Sequence, residues 1–155
     1  MQNGNMFKDL FFNYILISAV VSWFLAQLLK FIITLVTTGK AEPERFFGSG
    51  GMPSSHTALV CGATIAAAKL EGTGSSAFAI CFIVSCIVMY DAMNVRRQAG
   101  EHAKVINKMI KSDEDFDEIH FEGELKEKLG HTPLEVLGGA LLGIIVAMVI
   151  GIIVY

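Results

Sequence analysis

Four apolar runs, separated by polar stretches, set the first reading of the chain. Residues 10–29 hold no charged side chain over twenty positions, and about twenty apolar residues are what a helix needs to cross a bilayer. Residues 136–155 form a second uncharged run. Between them lie two shorter runs, 53–68 and 76–90, joined by the polar turn 69–75. Both are at or under the usual minimum of about 17 residues. They read as a helical hairpin that crosses with Lys69 snorkelling to the surface; a re-entrant pair that dips in and returns is the alternative. The pattern predicts spans at about 10–36, 53–69, 76–93 and 134–155, with a polar excursion at 94–131. The fold class is therefore an all-α integral membrane protein with about four transmembrane helices, and 1–155 forms a single membrane domain.

Four crossings have a geometric consequence. The loops 37–52 and 94–131 fall on the same face of the membrane. Lys30, Arg45, His56, Arg96, Arg97, His102 and His131 then gather at one surface. The opposite face keeps the N-terminus, the 70–75 turn and the C-terminus. Most Lys and Arg residues lie on the histidine-bearing side, whereas the other side has only Lys8 and Lys69. The positive-inside rule places the histidine-bearing face in the cytoplasm of a multi-pass cell-membrane protein.

The excursion divides in two. Within 101–111, Val105, Ile106, Met109 and Ile110 share one helical face, which suits a helix lying on the membrane surface. Residues 113–118 form an acidic run without the glycine and final glutamate of a calcium loop, so a solvated turn is expected. Residues 125–129 predict a short helix leading into Gly130, where the chain can turn before His131.

Composition agrees with a membrane class: of 155 residues, 53% are hydrophobic and 17% charged. A net charge of −3 argues against nucleic acid as a partner. Cys61, Cys81 and Cys86 all lie in apolar runs and read as buried small residues. Gly139 and Gly143 form a GxxxG stripe, and Gly62, Ala63, Ala66 and Ala67 line the second span. Such surfaces let helices approach closely inside one bundle, and would also suit a homodimer.

Candidate chemistry concentrates at two helix starts. The segment Gly51-Met52-Pro53-Ser54-Ser55-His56 runs from a glycine-rich loop into an apolar helix. Pro53 and Pro133 both sit where a helix would begin, because a first-turn proline loses no hydrogen bond. Thr132 is a good N-cap, and Glu135 three residues on completes a capping box. Free N–H groups and the positive dipole end near His56 can hold an anion. Gly48, Gly50 and Gly51 would let the backbone approach a phosphate closely.

These residues resemble the type 2 phosphatidic acid phosphatase superfamily, which includes bacterial lipid phosphatases and vanadium haloperoxidases, and more narrowly its small divergent bacterial and plant branch. The superfamily pattern comprises KxxxxxxRP, PSGH and SRxxxxxHxxxD. Pro53-Ser54-Ser55-His56 matches the second motif with Ser for Gly, and His131-Thr132-Pro133-Leu134-Glu135 matches HxxxD with Glu for Asp. Residues 136–143 also read like the closing helix, so the resemblance covers about 30–143. KxxxxxxRP is absent: Lys30, at the end of the first span, is the first choice for its lysine, and Arg45 the second. Arg96 or Arg97 resembles the arginine of the third motif, yet His131 follows more than thirty residues later. His102 stands at the family spacing from Arg96 but lacks an acid four residues on, so His131 is preferred and His102 stays the alternative.

The resemblance implies a metal-independent hydrolase with no cofactor, acting on a phosphate monoester or diphosphate of a lipid. In that scheme His131 is the nucleophile, Glu135 orients it, and His56 is the general acid and base. Lys30, Arg96 and Arg97, with Arg45, Ser55 and the backbone near Gly51, bind the phosphate. Asp91 ends the third span and is expected to position an arginine through a salt bridge. The rival reading is an inactive relative that binds anionic lipid or scaffolds a complex.

Overall fold

The computed structural model describes residues 10–39, 51–112, 124–127 and 129–154. Five α-helices of the bundle, and no strand, occur among them: α1 (Tyr14–Thr38), α2 (Ser55–Glu71), α3 (Ser76–Met93), α4 (Val95–Ser112) and α5 (Pro133–Val154). Three helical runs are long and apolar enough to cross a membrane: Tyr14–Thr38, Ser76–Ser112 and Pro133–Ile153. α2, with 17 residues, is shorter.

Local chemistry sets the helix limits. The Asn13 side chain accepts from the N–H groups of Ile15 and Leu16 at 3.0 and 3.1 Å, so α1 starts at Tyr14 rather than at the beginning of the apolar run. Its far end is closed by Gly39 in the left-handed region, whose N–H reaches Leu35 O. This corrects the expected position of Lys30. The lysine lies two turns inside α1, and it is buried. Ser54, not Pro53, opens α2. Its hydroxyl accepts from Thr57 N–H and from the Thr57 hydroxyl, at 3.5 and 2.9 Å. Pro53 precedes the cap, after a cis Met52–Pro53 peptide. Pro133 does begin α5, behind the N-cap Thr132.

α2 is the centre of the bundle, packed against α5, α1 and α3. Its buried residues are Ser55, Thr57, Ala58, Val60, Cys61, Gly62, Thr64, Ala66 and Ala67. Small side chains dominate because three helices must approach it from three sides. The GxxxG stripe of α5 takes part in this. A Cβ on Gly139 would collide with Ser54 O, and one on Gly143 with Ala58 O. The stripe that could have served a homodimer is thus occupied by α2. At one end of the bundle the Tyr14 hydroxyl donates to Ala147 O at 2.6 Å, within a core of Tyr14, Ala66 and Ala147.

At the other end, Ser54 N–H donates to Glu135 O at 3.0 Å and His131 N–H donates to Ala92 O at 2.9 Å. The starts of α2 and α5 and the end of α3 therefore meet there. α4 follows α3 with only Asn94 between them. The described residues 124–127 and 129–130 return along α4. The Asn107 side chain holds them, donating to Leu125 O and Glu127 Oε1 at 2.9 Å each and accepting from Leu125 N–H at 3.0 Å. The two bonds with Leu125 go to a non-helical backbone, and 125–127 and 129 are not helical, which corrects the short helix expected at 125–129. Gly130, with φ +78°, turns the chain against the Arg97 backbone, where a Cβ would collide. The acidic run 113–118, together with Arg45, Gly48 and Gly50, lies outside the described residues.

Candidate active site

His131 is held from both sides of its backbone and ring. Its N–H is tied to Ala92 at the end of α3, and its Nδ1 faces Glu135 Oε2 at 3.2 Å. The same carboxylate oxygen accepts Thr132 N–H at 2.8 Å, while Thr132 Oγ1 accepts Glu135 N–H at 3.4 Å. The capping box read from the sequence is therefore formed, and its acid serves the histidine as well. The ring is 6% exposed, so its orientation is fixed by packing as well as by the bond.

Two cavities meet at His131. The first, about 130 Å3, is lined by His56, Asp91, Arg96, Gly130 and His131 at its polar end. Leu59, Val60, Val88 and Ala92, on α2 and α3, form its apolar walls. The second, about 480 Å3, is lined by Gly51, Arg97, Glu101, Lys104, Glu127, Thr132, Glu135 and His131. His56 is the second residue of α2 and exposed, at the rim of the first cavity. Arg96 Nε donates to Asp91 Oδ2 at 2.5 Å, which is the expected salt bridge.

Lys30 reaches this end from α1. Its Nζ donates to Gln27 Oε1 at 3.0 Å, and its stem lies beside Gly51. Gly51 has φ +84°, a conformation that glycine takes without strain. Lys30 acts electrostatically on both His56 and His131, and Arg96 acts on His56. Burial pushes the His131 imidazole below its ordinary 6.5. Glu135 opposes that shift by charge and by hydrogen bond, while Lys30 and His56 add to it. A neutral ring with Nδ1–H on Glu135 leaves Nε2 as the open lone pair.

The structure thus brings together His56, His131, Glu135, Asp91, Arg96, Lys30 and Gly51, and sets Arg97 in the adjoining cavity. Ser55 is not brought to either wall; its side chain is buried, 2% exposed. His102 is exposed on α4 and lines neither cavity. Sequence reasoning missed Ser54, Gln27 and Asn107. Ser54 carried a signal, since a serine three residues ahead of Thr57 at the start of an apolar run fits a cap. Gln27 and Asn107 carried none, because their partners are distant or on a turn that periodicity does not single out.

An uncharacterized membrane protein of Bacillus subtilis (strain 168), YuiD, is 38% identical over 152 residues, covering 92% of this chain and 96% of the relative. No solved structure matches. With three candidate spans and this relative, the chain is a membrane protein. The model of the divergent PAP2 family matches residues 11–146, and the chain belongs to that family.

Proposed function

We propose that this protein is a membrane phosphatase that hydrolyses a phosphate monoester or diphosphate of a lipid through a phosphohistidine. One observation carries the reading: two histidines from distant helix starts line a single cavity with an arginine, and one of them is backed by a carboxylate. In this reading the bundle crosses the bilayer four times. α2 is only about 25 Å long at 1.5 Å per residue, but its neighbours shield it from lipid, so it needs no long apolar surface. The excess of Lys and Arg puts the site on the cytoplasmic face, where glycerolipid intermediates made on that side fit best.

The geometry supports the following steps. His131 Nε2 attacks phosphorus, the bond from phosphorus to the leaving oxygen breaks, and protonated His56 gives that oxygen its proton. Glu135 accepts the Nδ1–H bond and stabilises the cationic phosphoimidazole, the orienting role of an acid beside a catalytic histidine. Water then attacks phosphorus, His56 takes its proton, and the P–N bond breaks to release phosphate. Arg96, steadied by Asp91, and Lys30 offset charge that grows on the phosphoryl oxygens. Arg97 and the backbone at Gly51 serve the side facing the second cavity. These cations supply the electrostatic role without a metal.

Purified protein in detergent should release inorganic phosphate from at least one of phosphatidic acid, phosphatidylglycerol phosphate and polyprenyl diphosphate. Release should be blocked by vanadate and unchanged by a chelator. Silence across the panel, with lipid binding that depends on Arg96 and Arg97, would instead support a scaffold.

The acid limb of the rate profile carries a second expectation. Because the folded His131 resists protonation, activity should persist below pH 6.5 before falling. The same group weakens the fold in acid: the unfolded chain binds a proton at about 6.5 that the folded ring refuses, so stability drops as pH falls through that window. Glu135→Gln removes an influence that raises the His131 pKa, so the acid limb should move to lower pH while the maximal rate drops. An unmoved limb would separate Glu135 from the titrating group.

A further inference from the structure

α4 presents an apolar face that no other part of the described chain covers. Val95, Val105, Ile106 and Met109 lie within one sector at 3.6 residues per turn, and they are 60%, 59%, 44% and 63% exposed. Gln98 and His102 share that sector near the start of the helix. The other sides are accounted for. Gly100, Ala103 and Asn107 are buried, with Glu127 and Leu129 lying on Gly100 and Leu125 on Asn107. Arg97, Glu101 and Lys104 face the second cavity.

Continuity and charge identify the occupant. α3, whose apolar window is only 11% buried, offers its surface to lipid, and α4 begins one residue after it ends. α4 therefore starts at the depth where the hydrocarbon stops. Among the other helices its main contact is α3. Arg96, Arg97, Lys104, Lys108 and Lys111 against Glu101 give it a net charge of +4 with His102 neutral. Such a helix attracts anionic headgroups. A second copy of the chain on this face would set two equally cationic helices side by side.

We propose that α4 is an in-plane membrane helix, with its Val95–Val105–Ile106–Met109 face sunk at the boundary between headgroups and acyl chains. The consequence is mechanical. Arg96 and Arg97 occupy its first turn, and Asn107 ties to it the stretch that delivers His131. Seating α4 on the bilayer thus sets the depth of both arginines and of the histidine. The proposal stands whether or not the phosphatase reading holds.

The single tryptophan of the chain, Trp23, makes the test simple. In a Trp23→Phe background, Met109→Trp and Lys108→Trp would be compared in bilayers containing lipids brominated high on the acyl chain. Met109→Trp should be quenched roughly twofold or more beyond Lys108→Trp, with the reverse order for aqueous acrylamide, as expected for an interfacial helix. Val105→Trp provides a second reporter on the same face. Equal quenching at both positions would overturn the proposal. So would an apolar-face tryptophan shielded from bromolipid and acrylamide alike, since that is the signature of a protein cover.

Discussion

Under the proposed mechanism His131→Ala should lower phosphate release at least ~10^4-fold, because removing the proposed nucleophile leaves only binding and electrostatics. His56→Ala should cost about 10^2- to 10^4-fold, the usual range for a lost proton donor. The two losses differ in kind. With a substrate whose leaving group needs no proton, His56→Ala should still form the phosphoenzyme and then fail to hydrolyse it. Label from such a substrate should accumulate on His56→Ala in the acid-labile, alkali-stable form typical of phosphohistidine, and be missing from His131→Ala. His102→Ala is the decisive companion. His102 is exposed on α4, away from both cavities, so its loss should leave labelling intact. Label that survives in His131→Ala and disappears in His102→Ala would transfer the nucleophile to α4 and undo the mechanism.

Gly139→Leu should destabilise the bundle by about 1–3 kcal/mol or more, the cost of overpacking a tight contact. The added side chain would meet backbone, Ser54 O, which cannot rotate aside. The damage should not stay local. The same crossing carries the Ser54 N–H to Glu135 O bond, so parting α2 from α5 also parts His56 from His131. Melting of the detergent-purified protein should fall by about 2–12 °C, given roughly 2–4 °C per kcal/mol for a chain of this size, with activity lost below the transition. Gly138→Ala is the control. There a Cβ meets the terminal methyl of Met52 at 3.0 Å, which can swing away, so melting should barely change. Equal melting for Gly139→Leu and the unaltered protein would remove the α2–α5 contact from the account.

Much of the fold could be read from charge-free runs, because lipid exposure demands them. α3 was found where the pattern put it, at Ser76–Met93, and α5 within a residue. The gathering of His56, Arg96 and His131 at one end was expected from the parity of the crossings, and these three line one cavity. The capping box at Thr132 and Glu135 was legible because its bonds are local. Other features were not. Asn13 cut the first helix short by capping it from within an uncharged run. Lys30 was expected at a helix end because lysines avoid hydrocarbon; a glutamine three residues earlier and a glycine loop above it make the interior tolerable. The 125–129 stretch has helix-forming residues, but Asn107 takes both backbone bonds of Leu125. Particular side-chain bonds decide such cases, local at Asn13 and Gln27 and distant at Asn107, and periodicity does not record them.

The enclosed position of α2 bears on how the chain is assembled. In the four-crossing arrangement, a ribosome finishes α2 before either α3 or α5, two of its three walls, has been made. A segment this rich in Ala, Ser, Thr and Gly partitions weakly into lipid by itself. Its integration must therefore await its neighbours, first as a hairpin with α3 and finally when α5 emerges to close the last side. The end of the molecule that carries His56 and His131 is then assembled only once α5 has emerged and the centre of the bundle is sealed.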